Sequence, residues 1–250
     1  MNVFLKTSLV ICLLAFLHRV TATATLIDET KGKTIIAFGD SLTAGYWKET
    51  RGQFEPFFHA YAIRLRELLN NASTIVEKGL SGERTDEMMH RLPHVLKAQS
   101  KIKLVIILGG TNDLGGGRIP IEETVANIKE LHRIALNSSS AISPQNVIYT
   151  VAVTIPQALW MLKGPSATKR LAINEKIRAF ASRCSARISV LDLENAFDLS
   201  VKANMNTFWS PDGLHLNPHG YDQFAEMLYK LMESTSVKDS QAFSLNCLNS

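Results

Sequence analysis

The chain has 250 residues, 46% of them hydrophobic and 20% charged, with 14 glycines and 8 prolines. That length suits one large domain or two small ones, and the composition supports a buried core and excludes collagen-like, low-complexity and compositionally disordered classes. The formal net charge of +4 is spread over 27 basic and 23 acidic residues without a basic block, so a nucleic-acid partner has no support; three cysteines are too few for a disulfide-built miniprotein.

Lys6 is the only charge ahead of an apolar run from Leu9 to Leu17. The run has the length of a signal-peptide core and is too short for a bilayer of about 30 Å. Ala22-Thr23-Ala24 then offers small residues at a cleavage site, although His18 and Arg19 interrupt the approach to it. Residues 1–24 therefore read as a secretory signal peptide, cut before Thr25. Residues 25–250 then form a single domain, secreted or held along the secretory route, with no membrane span once the leader is gone. Cleavage removes Cys12 and leaves Cys184 and Cys247. In an oxidising compartment these two can pair or stay unrelated thiols, and spacing does not decide. Asn71-Ala72-Ser73 and Asn137-Ser138-Ser139 are glycosylation sequons, each at the end of a predicted helix.

Along the chain, short β-branched runs alternate with longer amphipathic segments. Thr34 to Phe38 is a buried strand, followed by a helical pattern over 57–70. A second strand runs from Thr74 to Lys78, with a helix near 84–98. Leu104 to Leu108 is apolar throughout, as a central parallel strand should be. In the next helix, 121–137, Ile121, Val125, Ile128, Leu131 and Ile134 recur at helical spacing. Val147 to Val153 and Ile188 to Leu193 complete five strands, separated by a helix over 167–184. Asn217-Pro218 opens a last helix over 219–233, with an N-cap followed by proline at the first helical position. The polar tail after about Ser234 is expected to be loosely held. Strand–helix alternation implies parallel strands with right-handed crossovers, and such sheets place their sites at the carboxyl ends of the strands.

Three of the four chemically suggestive segments sit just there. Gly39-Asp40-Ser41-Leu42 follows the first strand. A serine at a strand-to-helix turn exposes its hydroxyl at a helix N-terminus and suits a nucleophile; Ser41 or Asp40 equally suits a helix cap. Gly79-Leu80-Ser81-Gly82 follows the second strand and brings backbone N–H groups close to a ligand, or is a plain loop. Gly109-Gly110-Thr111-Asn112-Asp113 follows the third. The Asn112 amide can donate to a developing oxyanion, or the segment is a turn; Asp113 shapes that loop or caps a helix. Gly115-Gly116-Gly117 has no following lysine, which argues against a phosphate cradle. Near the end, Ser210-Pro211-Asp212-Gly213 reads as a type I turn, and Asp212 stands three residues before His215, close enough to fix an imidazole tautomer.

With these four segments in order, the sequence resembles the GDSL, or SGNH, hydrolase family of esterases and lipases. The match is carried by Gly-Asp-Ser-Leu at 39–42, Gly82, Gly-x-Asn-Asp at 110–113 and Asp-x-x-His at 212–215. It spans about residues 34–233 and lacks the G-x-S-x-G of α/β-hydrolases. The resemblance implies an α/β fold: a flavodoxin-like three-layer α/β/α sandwich on a five-stranded parallel sheet of order 2-1-3-4-5. It implies Ser41 as nucleophile, His215 as general base and then acid, and Asp212 as the orienting acid. The oxyanion hole would be the Ser41 N–H, the Gly82 N–H and the Asn112 side chain, with no metal and no organic cofactor.

The expected activity is hydrolysis of small or medium acyl esters through an acyl-serine intermediate. The substrate would be a small-molecule, lipid or glycan ester. Sugar or polysaccharide O-deacetylation, lysophospholipid cleavage, acyl transfer and a non-catalytic binding role are the alternatives. Other residues point less clearly. His219 lies four after His215, but Asn217-Pro218 breaks the span, which disfavours a metal pair. His90 and His94 read as surface residues, and His59 and His132 as helical residues without partners. Trp160 and Trp209 suit a pocket wall or a packing anchor, and Arg84 and the segment from Phe54 to Phe58 fall near the expected rim.

Overall fold

The computed structural model describes residues 24–115, 119–138, 147–194, 196–237 and 243–249. The leader up to Thr23, Gly116, Gly117 and Ser139 of the second sequon lie outside these. In chain order the elements are α1 (Leu26–Thr30), β1 (Thr34–Gly39), α2 (Ser41–Ala44), β2 (Tyr46–Trp47), β3 (Phe57–Phe58), α3 (Tyr61–Leu68), β4 (Thr74–Gly79) and α4 (Thr85–Lys97). Then follow β5 (Ile102–Leu108), α5 (Thr111–Leu114), α6 (Ile121–Asn137), β6 (Tyr149–Val153), α7 (Gly164–Arg183), β7 (Ile188–Leu191), α8 (Lys202–Phe208) and α9 (Pro218–Ser234).

Five strands form one parallel sheet in the order β4-β1-β5-β6-β7. Counted along the chain within that sheet, this is second, first, third, fourth, fifth. Alternate side chains of a strand point to opposite faces, and both faces here are covered. Ile35 and Ala37 of β1 pack with Leu104 and Ile106 against Tyr61, Leu65, Tyr221, Phe224 and Leu228 of α3 and α9. Ile36 and Phe38 pack with Val105 and Ile107 against Met88 and Leu92 of α4 and Leu131 of α6. Beyond β6, Ala152 and Ile188 meet Ile173, Ile177 and Phe180 of α7. The result is the expected α/β architecture with helices on both faces of a five-stranded parallel sheet. Among the described residues no helix is long and apolar enough to cross a membrane.

Three local expectations need correction. Residues 57–60 do not join a helix: Phe57–Phe58 pairs with Tyr46–Trp47 as a short antiparallel hairpin, and α3 starts only at Tyr61. The aromatic pairs across this hairpin hold it, with Trp47 and Phe57 rings 5.1 Å apart. The tail after Ser234 is not loosely held where it is described. Ser236 bridges Thr25, and Cys247 is disulfide-bonded to Cys184 with Cα atoms 5.4 Å apart. Leu248 is then buried against α6 and α7. Finally, His59 and His132 do have partners. His59 precedes α3 and its Nε2 lies 2.8 Å from Asp222 Oδ1. His132 is fully buried with Nδ1 2.8 Å from the Thr150 hydroxyl, and burial pushes its pKa down to about 3, so it stays neutral.

The carboxyl edge of the sheet is crowded by design of sequence. α2 passes so near the end of β4 that a Cβ on Gly79 would sit 2.1 Å from the Ala44 nitrogen. Glycine at 79 is what lets the segment bearing Ser41 lie across the neighbouring strand.

Candidate active site

β1 ends at Gly39, and Asp40 caps α2 by accepting the Leu42 N–H on Oδ1 at 2.9 Å. Asp40 therefore takes the capping role and leaves the Ser41 hydroxyl free for another partner. Asp40 is fully buried, and among the described residues its Oδ2 has no hydrogen-bond partner. Burial, with the charges of Asp113 and Glu83 nearby, pushes its carboxyl up to about 7.

The second half of the site is the loop 209–217. Trp209 and Leu216 form an antiparallel bridge at its neck, and Ser210 O accepts the Gly213 N–H at 2.9 Å, closing the Ser-Pro-Asp-Gly turn. Within that turn Asp212 Oδ1 accepts the N–H groups of Leu214 (2.9 Å) and His215 (3.0 Å), and Oδ2 lies 2.8 Å from His215 Nδ1. The turn and the acid–imidazole contact are thus one structure. Burial alone would raise the Asp212 carboxyl, but the bonds from His215 and the two backbone N–H groups outweigh it and hold it below the usual carboxylate range. A carboxylate only accepts, so Nδ1 carries the ring proton and Nε2 presents its lone pair. That Nε2 lies 2.9 Å from Ser41 Oγ, so the serine hydroxyl donates to it. Carboxylate, imidazole and hydroxyl form one continuous line, with Ser41 and His215 only 6% and 8% exposed.

The other predicted donors follow the two strands that flank β1. Gly82, with φ +81°, follows β4 in a conformation that favours glycine. Among the described residues neither the Ser41 nor the Gly82 N–H has a hydrogen-bond partner. Asn112 follows β5 and donates one amide hydrogen from Nδ2 to Glu83 O at 2.9 Å, leaving the other available. Asp113 accepts the Thr85 N–H at 3.1 Å and the Thr85 hydroxyl, which ties the Asn112 loop to the start of α4. It shapes the loop and serves as a remote cap at once.

Of the remaining residues, Trp209 is buried and donates from Nε1 to Phe197 O at 3.0 Å, a packing anchor rather than a pocket wall. Trp160 is 42% exposed, next to Leu159, whose N–H bonds Gly213 O of the Asp212 turn at 2.8 Å. Arg84 is engaged locally with Asp86 at the head of α4. Phe54, Phe57 and Phe58 are exposed, as are His90, His94 and His219. Two contributors had no sequence signal: Tyr46, whose ring covers His215, and Arg91, which grips Glu83 from α4. Each acts through a partner distant in sequence or on another element.

The GDSL-like lipase/acylhydrolase family profile matches residues 37–223, which contain the serine, the asparagine and the acid–histidine turn. The chain belongs to that family. As a GDSL protein it is a carboxylic ester hydrolase. No curated protein sequence matches it at a significant level. Its fold is similar to a carbohydrate acetylesterase from Sinorhizobium meliloti, with TM-score 0.64 and 20% identity over 79% of this chain and 97% of that one. An aryl esterase from M. smegmatis gives 0.64 and 21% over 81% and 99%. A lipase/acylhydrolase from Enterococcus faecalis gives 0.60 and 20% over 79% and 94%. At such identities these likenesses speak for the GDSL fold alone.

Proposed function

We propose that this protein cleaves small or medium acyl esters through an acyl-serine intermediate on Ser41. The observation that carries this is the unbroken line from Asp212 through His215 to the Ser41 hydroxyl, at 2.8 and 2.9 Å. Ser41 Oγ attacks the ester carbonyl while His215 Nε2 takes its proton. Asp212 keeps the proton on Nδ1 and stabilises the imidazolium. The Ser41 N–H, the Gly82 N–H and the second amide hydrogen of Asn112 receive the oxyanion, and one such donor contributes about 3–4 kcal/mol in comparable sites. His215 then protonates the leaving alcohol, activates water and returns the serine. No metal or organic cofactor takes part in this scheme.

Secretion, or residence along the secretory route, agrees with the leader-like first 24 residues. The Cys184–Cys247 disulfide also fits an oxidising compartment. The exposed Trp160 and the aromatic hairpin, faces on which a sugar ring can stack, support a second substrate reading, O-acetylated sugars.

Hydrolysis of p-nitrophenyl acetate, butyrate, octanoate and palmitate by the protein and by Ser41→Ala tests the proposal. Activity that peaks at the short and middle chains and disappears in the variant supports it. Equal rates in both proteins would sink the Ser41 assignment, and a palmitate optimum would sink the acyl-size assignment. Release of acetate from an acetylated xylan decides the second reading.

A further inference from the structure

Arg91, on α4, contacts the strand ends and the loop next to the oxyanion donors. Its guanidinium donates from Nε to Glu83 Oε1 at 2.6 Å and from Nη2 to Glu83 Oε2, a two-pronged pair in which the Glu83 side chain is only 4% exposed. Nη1 donates to Lys78 O at 3.1 Å, Nη2 also to Gly39 O at 3.1 Å, and the carbon of the group lies 4.2 Å from the centre of the Phe38 ring. One planar cation therefore holds the carboxyl end of β1, the carboxyl end of β4 and the loop that follows β4.

Two of those grips lie within two residues of a donor. Gly39 is two residues before Ser41. Glu83 follows Gly82 directly. The Glu83 carbonyl, in turn, is the acceptor that orients the Asn112 amide at 2.9 Å. We infer that Arg91 and Glu83 are positioning residues that set the geometry of the oxyanion hole. The inference rests on the donor assignment made above. An oxyanion hole works only when its donors are fixed before charge develops, and loosening of the supporting residues is felt in the transition state rather than in substrate binding. Arginine suits the task because its rigid fork meets a carboxylate and two carbonyls at once. A lysine offers one point charge and cannot make all four contacts.

The test combines Arg91→Lys, Glu83→Gln and Asn112→Ala, singly and in pairs, on p-nitrophenyl acetate. Inhibition by a boronic acid that forms a tetrahedral adduct on serine is measured alongside. For Arg91→Lys we expect kcat to fall by about 10- to 100-fold with KM within about 3-fold, and boronate affinity to fall in parallel. On the Asn112→Ala background the same substitution costs clearly less, because one of the donors it positions is already gone. Melting curves establish that each variant is folded at the assay temperature. If Arg91→Lys does not fold, Glu83→Gln, which preserves volume, carries the same expectation. Losses that multiply across the pair, or a lower melting temperature with kcat retained, would overturn the positioning role while leaving Asn112 as a donor. An Asn112→Ala variant with unchanged kcat would remove the donor assignment, and this inference with it.

Discussion

The Tyr46 ring lies 4.3 Å from the His215 ring, centre to centre, tilted by 37°. The imidazole is thus held in its plane by Asp212 and Ser41 and across its face by an aromatic ring. Tyr46 is itself fixed, since Phe58 meets it edge-on at 5.9 Å and its carbonyl accepts the Tyr221 hydroxyl at 2.7 Å. An aromatic pair of this kind contributes about 0.5–1.5 kcal/mol, so Tyr46→Ala should lower kcat by about 2- to 10-fold. Tyr46→Phe keeps the ring and should behave as the parent. Equal losses in the two variants would assign the effect to the hydroxyl instead.

Asp212→Asn retains the shape of the turn but presents an amide to Nδ1. The wrong tautomer of His215 is then favoured, and Nε2 no longer offers a lone pair to Ser41. The expected loss in kcat at neutral pH is on the order of 10³- to 10⁴-fold. Labelling of Ser41 by a fluorophosphonate should slow in parallel; labelling at the parent rate would show that the imidazole does not depend on this carboxylate.

Asp40 makes stability fall as pH rises. Its folded-state pKa is raised from 3.8 to about 7, so between these values the native protein holds a proton that the unfolded chain has released. That preference is worth at most about 4 kcal/mol and is lost progressively as pH climbs from about 4 to 7. Asp40→Asn keeps an oxygen for the Leu42 N–H and cannot ionise. The variant should match the parent in melting temperature near pH 4 and exceed it above pH 7. A difference independent of pH would mean that Asp40 does not titrate in this range.

The Cys184–Cys247 bond closes a span of 63 residues. Loop-closure entropy alone assigns such a crosslink about 4 kcal/mol, and observed losses run from about 2 to 5. Cys184 stands just before β7, at the edge of the sheet opposite Ser41. Replacing both cysteines by serine should therefore lower the denaturation midpoint and leave kcat at 25 °C unchanged. A matching drop in kcat would reveal coupling across the sheet.

What could be read from the sequence was local. The four segments bearing Ser41, Gly82, Asn112 and the Asp212–His215 turn each carry their chemistry in a few adjacent residues, and three follow strands, of which β1 and β5 are plainly apolar and β4, with Glu77 and Lys78, is not. The bounds of α6 follow from its helical period, whereas the central strand, read from the apolar run Leu104 to Leu108, begins two residues earlier at Ile102. The β2–β3 hairpin escaped because two-residue strands have no period to detect, and Phe57-Phe58 fits a helix pattern equally well. Arg91 escaped for another reason: on a helical face it looks like any solvated cation, and only the folded loop brings Glu83 to it. The alternatives left open for Asp40, Asp113 and the Ser-Pro-Asp-Gly turn were not rivals, since the structure uses each group for a cap or turn and for shaping the site together.

Ser41 and His215 stand 174 positions apart in the chain. A ribosome adding about 5–20 residues per second needs roughly 10–35 s to travel between them. For that interval the emerging polypeptide carries a serine with nothing to deprotonate it, amid whatever esters surround it. The hydroxyl becomes reactive only when the segment ahead of α9 returns to lie against it, so the last large helix to be made also acts as the step that arms the protein.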